Sequence, residues 1–125
     1  MKGLGLNPSL MSIMKRKDIM KRKDIIKESL KCISDRPKEY ILNLMAEECA
    51  ELVQASLKLP RAWKGYTPKS VQECEDNLVE EMVDVTICLM LASEKYNVST
   101  DMFEKMLDFK LNRFYNRVKT GDYSK

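Results

Sequence analysis

Residues 83–92 read Val-Asp-Val-Thr-Ile-Cys-Leu-Met-Leu-Ala. On a helix this run is apolar nearly all round, and such a helix lies at the centre of a bundle with others around it. The chain has 125 residues, the length of one domain. Four glycines and four prolines leave few turns, so long helices are expected rather than many short strands. Three or four helices in so short a chain are too few to enclose the central one. The expectation is therefore an all-α bundle completed by pairing with a second copy, through the helices around residues 38–59 and 70–96. Nine methionines suit adaptable contacts between such helices.

The absence of histidine excludes Ser-His and Cys-His nucleophile pairs, His-ligated zinc and the Glu-x-x-His di-iron bundle. The four cysteines, Cys32, Cys49, Cys74 and Cys88, contain no CxxC pair. That argues against a zinc ribbon or a redox dithiol, and a reducing cytoplasm is the expected setting. Cys49, Cys74 and Cys88 read as small buried apolar residues. No apolar run approaches 18 residues and there is no signal-peptide pattern, so neither a membrane span nor secretion is expected.

The formal net charge of +3 is unevenly spread. Residues 1–25 hold seven Lys/Arg and two Asp, whereas the remainder holds 15 basic and 17 acidic residues. The basic character thus belongs to the start of the chain, where Met14-Lys15-Arg16-Lys17-Asp18-Ile19 recurs unchanged as residues 20–25. We read the repeat as a slipped duplication or an upstream start codon, with Met20 as an alternative start, in preference to a nucleic-acid-binding arm. Residues 1–19 are expected to form a basic, disordered tail and residues 20–125 the helical domain. The acidic balance of residues 26–125 argues against a nucleic-acid partner.

Punctuation marks divide the domain. A first helix is expected from Asp18 or Lys21 to Ile33, followed by a stop and restart at Ser34-Asp35-Arg36-Pro37. The second is expected to end at Leu59, where Pro60 interrupts it, with residues 60–69 as a loop. Ser70 with Glu73 forms a capping box for the third helix, which continues to about Tyr96. Glu73, Glu75 and Asp76 favour its N-terminus through the helix dipole. The last helix is expected from Asp101 to Lys119, closed by Gly121.

Two stretches break the apolar pattern in the same way. With Glu48 at the origin of a helical wheel, Ile41, Leu44, Leu52 and Ala55 fall within about 40°, and Glu51 lies about 60° to one side. With Glu81 at the origin, Cys74, Leu78, Val85 and Cys88 fall within about 60°, and Asp84 lies about 60° to the same side. Each helix thus carries a carboxylate on its apolar stripe and another three residues later. An unpaired carboxylate in an apolar interface is costly or becomes protonated. Four together require something positive: a lysine such as Lys58, Lys69 or Lys95, a neighbouring chain, or a cation. An all-oxygen ligand set selects hard cations, Mg²⁺ or Mn²⁺.

The pattern Glu47-Glu48-x-x-Glu51 followed by Glu81-x-x-Asp84 resembles the EExxE…ExxD signature of the all-α nucleoside triphosphate pyrophosphohydrolases. That superfamily includes the MazG proteins, the dimeric dUTPases, the dCTP pyrophosphatases and phosphoribosyl-ATP pyrophosphatase. The resemblance spans about residues 38–118. The Tyr-His character of the last of these is missing, which disfavours it, and no motif identifies a base. The resemblance implies a MazG-like bundle that is an obligate homodimer or homotetramer, with Glu48, Glu51, Glu81 and Asp84 as Mg²⁺ ligands and Glu47 supporting the site. It implies hydrolysis of a nucleoside triphosphate to the monophosphate and pyrophosphate, as nucleotide-pool house-cleaning. Such hydrolysis needs charge neutralisation and an aligned water more than a side-chain nucleophile. Glu47 and Glu80 are the carboxylates left to orient or deprotonate that water.

Lys110, Arg113 and Arg117 fall within about 60° on the last helix. They suit either a triphosphate clamp, with arginine offering forked contacts, or a solvated stripe complementing the helix C-terminus. Trp63 and Tyr66, between Arg61 and Lys64 and beyond, are candidates to stack on the base; alternatively Trp63 plugs the end of the bundle. Against the enzyme stands one reading of another class, a non-enzymatic helical module that dimerises or binds a protein.

Overall fold

A computed structural model describes residues 17–122 of the chain, with side chains from residue 21 onward. The described residues form four helices and no strand: α1 (Lys17–Cys32), α2 (Tyr40–Trp63), α3 (Val71–Lys95) and α4 (Thr100–Thr120). No helix among them is long and apolar enough to cross a membrane. The all-α expectation holds. The expected disorder of residues 1–16 lies outside the described residues, whereas residues 17–19 begin α1.

Most helix ends follow their sequence signals. Ser70 caps α3 as half of a capping box: its hydroxyl accepts the Glu73 N–H at 3.1 Å, and Glu73 Oε2 accepts the Ser70 N–H at 2.8 Å. These bonds hold the Glu73 carboxyl below its ordinary pKa. Ser99 caps α4 by accepting the Met102 N–H at 3.2 Å. Gly121 ends α4 with φ of 72°, a left-handed turn that glycine adopts without strain.

The end of α2 corrects an expectation. Pro60 lies inside the helix, which continues to Trp63. Proline removes one N–H and crowds the preceding turn, but neighbouring bonds hold. Arg61 Nε donates to Leu57 O at 3.3 Å, and Lys64 N donates to Pro60 O at 3.3 Å. The terminator is Gly65, with φ of 72°. Gly65 N donates to Ala62 O at 3.0 Å and Tyr66 N to Arg61 O at 2.9 Å, the paired bonds of a Schellman motif. The connection to α3 is correspondingly short.

The core lies between α2 and α3, which form the main helix contact, with α1 laid against α3. Ile41, Ala55, Leu59 and Ala62 of α2 are buried with Cys74, Cys88 and Leu91 of α3. Leu59, Ala62 and Cys74 form one cluster, with Val71 and Leu78 packed on it. Lys27 Nζ reaches Glu94 Oε1 at 3.9 Å between α1 and α3. The Tyr96 hydroxyl donates to Lys38 O at 3.1 Å, tying the end of α3 to the start of α2.

The remaining surface is unusually apolar. Leu42, Val53 and Leu57 of α2 and Val79, Val83, Ile87 and Leu89 of α3 are exposed. Within one chain, then, residues 83–92 are covered on the side of Cys88 and Leu91 and open on the side of Val83 and Ile87. In α4 no residue is buried, and the helix makes no substantial contact with α1, α2 or α3.

Candidate functional site

The carboxylates come together where α2 and α3 pack. α2 presents Glu48 and Glu51 on the stripe that also buries Ala55 and Leu59, and α3 presents Glu81 on the stripe that buries Cys74 and Cys88. Burying those apolar neighbours carries Glu48 and Glu81 inward, whereas Glu51 stays exposed at the edge of the contact. Carboxylate oxygens of Glu48, Glu51 and Glu81 all lie within 4.8 Å of one another. Glu48 and Glu81 are half-buried, and one oxygen of each, Oε2, is fully buried with no hydrogen-bond partner. Asp84 stands outside this group of three, close enough for its charge to act on both Glu48 and Glu81.

The electrostatics follow from that crowding. Burial, then the negative charges of Glu51 and Asp84, push the Glu48 carboxyl above its ordinary pKa. Burial likewise leads for Glu81, followed by a shared-proton approach to Glu51 and the charges of Glu51, Asp84 and Glu48. Burial also raises the Cys88 thiol, with smaller pushes from Glu48, Cys49 and Asp84. No lysine or arginine among the described residues stands within ion-pair distance of Glu48, Glu51, Glu81 or Asp84. The three salt bridges lie elsewhere, Lys27–Glu94, Lys31–Glu28 and Lys105–Asp101. Lys58, Lys69 and Lys95 of the same chain therefore do not neutralise the cluster.

The other sequence candidates divide. Glu47 and Glu80 are exposed next to Glu48 and Glu81, accessible to water. Trp63 and Tyr66 are 62% and 76% exposed, so Trp63 does not plug the bundle end. Cys49 is exposed rather than buried; Cys74 and Cys88 are buried as expected. Arg113 and Arg117 border one hollow on α4 with Phe109, Asn112 and Asn116. Arg113 lies over the Phe109 ring at 5.9 Å. Because α4 stands apart from α2 and α3, the chain does not itself carry Lys110, Arg113 and Arg117 to the carboxylates.

Two features escaped the sequence reading. Glu75 is 4% exposed, and its side chain makes no hydrogen bond or ion pair among the described residues. Its position 120° from Glu81 on the wheel gave no signal beyond its place near a helix N-terminus. The second is a polar groove at the α2–α3 end, lined in part by Lys58, Asn77 and Glu80. Its residues come from two helices and the connection between them and have no common motif. No family model, curated protein or solved structure matches the chain.

Proposed function

We propose that this chain is a Mg²⁺-dependent hydrolase that converts a (deoxy)nucleoside triphosphate to the monophosphate and pyrophosphate. The observation that carries the reading is the pair of buried, unpartnered oxygens, Glu48 Oε2 and Glu81 Oε2, beside Glu51. Carboxylates raised by burial and by one another, with no cation from their own chain, leave a deficit of positive charge. The donor set fits a hard ion, being all carboxylate. The 4.8 Å span also suits a small octahedral ion, whose opposite ligands stand about 4.2 Å apart. Glu48, Glu51 and Glu81 would hold it, with Asp84 one turn along α3 as the fourth candidate; Mn²⁺ satisfies the same criteria. Such an ion supplies charge neutralisation for phosphate oxygens and a more acidic bound water.

The chain's own residues supply the rest. Glu47 and Glu80, exposed at the rim, are placed to orient a water or take its proton. Self-association brings in the phosphate clamp. α4 carries nine large apolar side chains that are each more than half exposed: Met102, Phe103, Met106, Leu107, Phe109, Leu111, Phe114, Tyr115 and Val118. A soluble monomer rarely exposes so much contiguous apolar surface. α3 is strongly acidic and α4 is basic overall. In this reading α4 packs on a second copy, covers the open apolar stripes of α2 and α3, and delivers Lys110, Arg113 and Arg117 to the partner's carboxylates. The resemblance of EExxE…ExxD to the all-α pyrophosphohydrolases supports the same assembly and chemistry.

The deciding experiment is pyrophosphate release from a panel of nucleoside triphosphates with and without Mg²⁺. Metal-dependent release is the expected result. The uncovered apolar face of α4 favours a second reading, a helical module that only dimerises or binds a protein. A stable dimer with no Mg²⁺-dependent thermal shift and no hydrolysis would select it.

A further inference from the structure

α4 carries more apolar surface than one neighbour covers. Phe103, Leu107, Leu111, Phe114 and Val118 fall within about 80° of one another on the helical wheel, one face for the open stripes of α2 and α3 in a second copy. Met102, Met106 and Phe109 fall within about 60° of one another, centred about 130° away from that face. Each is more than half exposed, and with Asp101 and Lys105 they border one hollow. A helix that meets one neighbour presents an apolar arc of about 100°, so two groups this far apart call for two neighbours. Because α4 makes no substantial contact with α1, α2 or α3, both faces are open at once.

Charge says what the second neighbour is. Lys105 flanks Met102 and Met106 and holds Asp101 at 3.0 Å, with both side chains exposed. Asp108 lies on the same flank and has no partner among the described residues. Arg113, over the Phe109 ring at 5.9 Å, ends the apolar face. A face that carries both signs on one flank complements itself when two copies meet antiparallel about a two-fold axis. With Met106 near that axis, Met102 comes within about 1.5 Å of the level of Phe109 in the other copy, and Lys105 within about 1.5 Å of the level of Asp108. The two Lys110 then stand about 12 Å apart along the helices, so the basic stripes do not oppose each other.

We propose that Met102, Met106 and Phe109 form a second contact face of α4, whose occupant is the same face of another copy, antiparallel about Met106, so that dimers join in pairs. The proposal rests on the self-association described above and goes beyond it by adding a separate contact. Three side chains from each copy make a small interface. A dimer carries two α4 helices, however, and a contact made twice between the same two dimers holds far more tightly than one.

The test uses the full-length protein. Light scattering should give a tetramer for wild type and half that mass for Met106→Glu, with the Mg²⁺-dependent thermal shift unchanged. Asp108→Lys should weaken the pairing of dimers by roughly tenfold, since two exposed ion pairs are reversed together, and Lys105→Asp in the same chain should restore it. With Cys32 and Cys49 replaced by serine, Met106→Cys should cross-link two copies under a mild oxidant, whereas Asn112→Cys, six residues along, should not. A Met106→Glu variant with the wild-type mass, together with no cross-link at Met106, would overturn the proposal and leave the face to a different protein. A wild type that stays dimeric at all concentrations would overturn it while leaving the first interface standing. A monomeric wild type would remove both.

Discussion

α2 and α4 are of similar length, 24 and 21 residues, and both alternate apolar and charged faces. α2 buries four side chains and α4 none. Their charges also differ in placement. α2 sets Glu48 in the middle of its buried stripe, where it has no cation from its own chain. α4 keeps Lys110 and Arg113 in solvent and sets Phe103, Leu107, Leu111, Phe114 and Val118 on a stripe, three to four residues apart, that Lys110 borders. An amphipathic period announces that a face will be covered, not which chain covers it. A charge that violates the period is more informative, because its burial must be compensated by something.

The sharpest way to break the comparison is to neutralise the α2–α3 acids. Glu48→Gln or Glu81→Gln should lower triphosphate hydrolysis by orders of magnitude while metal-free stability holds or rises. In a structural ion pair the same change destabilises. In wild type, Mg²⁺ at 100 times Kd should stabilise by about 2.7 kcal/mol. Thermal melts of both Gln variants in EDTA and in Mg²⁺ check this. Loss of metal-free stability in both, together with a wild type unmoved by Mg²⁺, sinks the metal centre.

α4 is tested next. Phe114→Glu places a charge in its open stripe and should weaken self-association by roughly 30-fold, the effect of an interface residue worth 2 kcal/mol. Light scattering on a dilution series reads it. A wild type that is monomeric at micromolar concentration contradicts the assembly outright. Arg113→Ala and Lys110→Ala should raise KM or lower kcat by about tenfold, the scale of one charge-assisted bond, with melting unchanged. Kinetics untouched in both would return that stripe to ordinary solvated surface.

A smaller effect concerns pH. Glu48 and Glu81 bind protons more tightly folded than unfolded. Their contribution is present near the ordinary carboxyl pKa of 4.5 and is lost as pH rises through the elevated folded values. Metal-free protein should therefore melt progressively lower from pH 5 toward neutrality, and Mg²⁺ should flatten that slope. A metal-free Tm that rises over the same range contradicts the crowded-acid picture. Smallest is Gly65→Ala, expected to cost about 1 kcal/mol because alanine resists the left-handed turn. Chemical denaturation reads the difference, and no loss would mean the α2 end relaxes elsewhere.

Much of the architecture was legible because caps and periods are local signals. Ser70 with Glu73, and Gly121, fixed ends that the structure reproduces. Pro60 misled, since one missing N–H in the last turn is tolerated when Gly65 supplies the terminating geometry two bonds at a time. The meeting of Glu48, Glu51 and Glu81 was legible from matched wheel positions. Asp84 falls outside the tight group although it has the same 60° offset as Glu51, which falls inside it, so wheel position alone does not separate the two. Cys49 was misread because it lies 100° from Glu48, off the stripe that α2 buries. The detachment of α4 and the groove at Asn77 depend on how helices pair, which no single helix encodes.

The hexapeptide repeat acquires a mechanical meaning once α1 is in place. Six residues advance a helix by about 9 Å and leave it about 120° short of two full turns. A duplicated unit therefore cannot extend the face that its original presents. α1 meets α3 through its later portion, where Ile26 and Leu30 are half-buried and Lys27 reaches Glu94, while Ile25 is exposed. Residues added upstream of Ile26 leave that register untouched. Residues 21–25 are exposed, so the first described turns of α1 work as a slack end that carries charge without joining the packing on α3. Deleting residues 1–19 should accordingly leave the melting temperature unchanged, and a large drop would show that the leading turns are anchored.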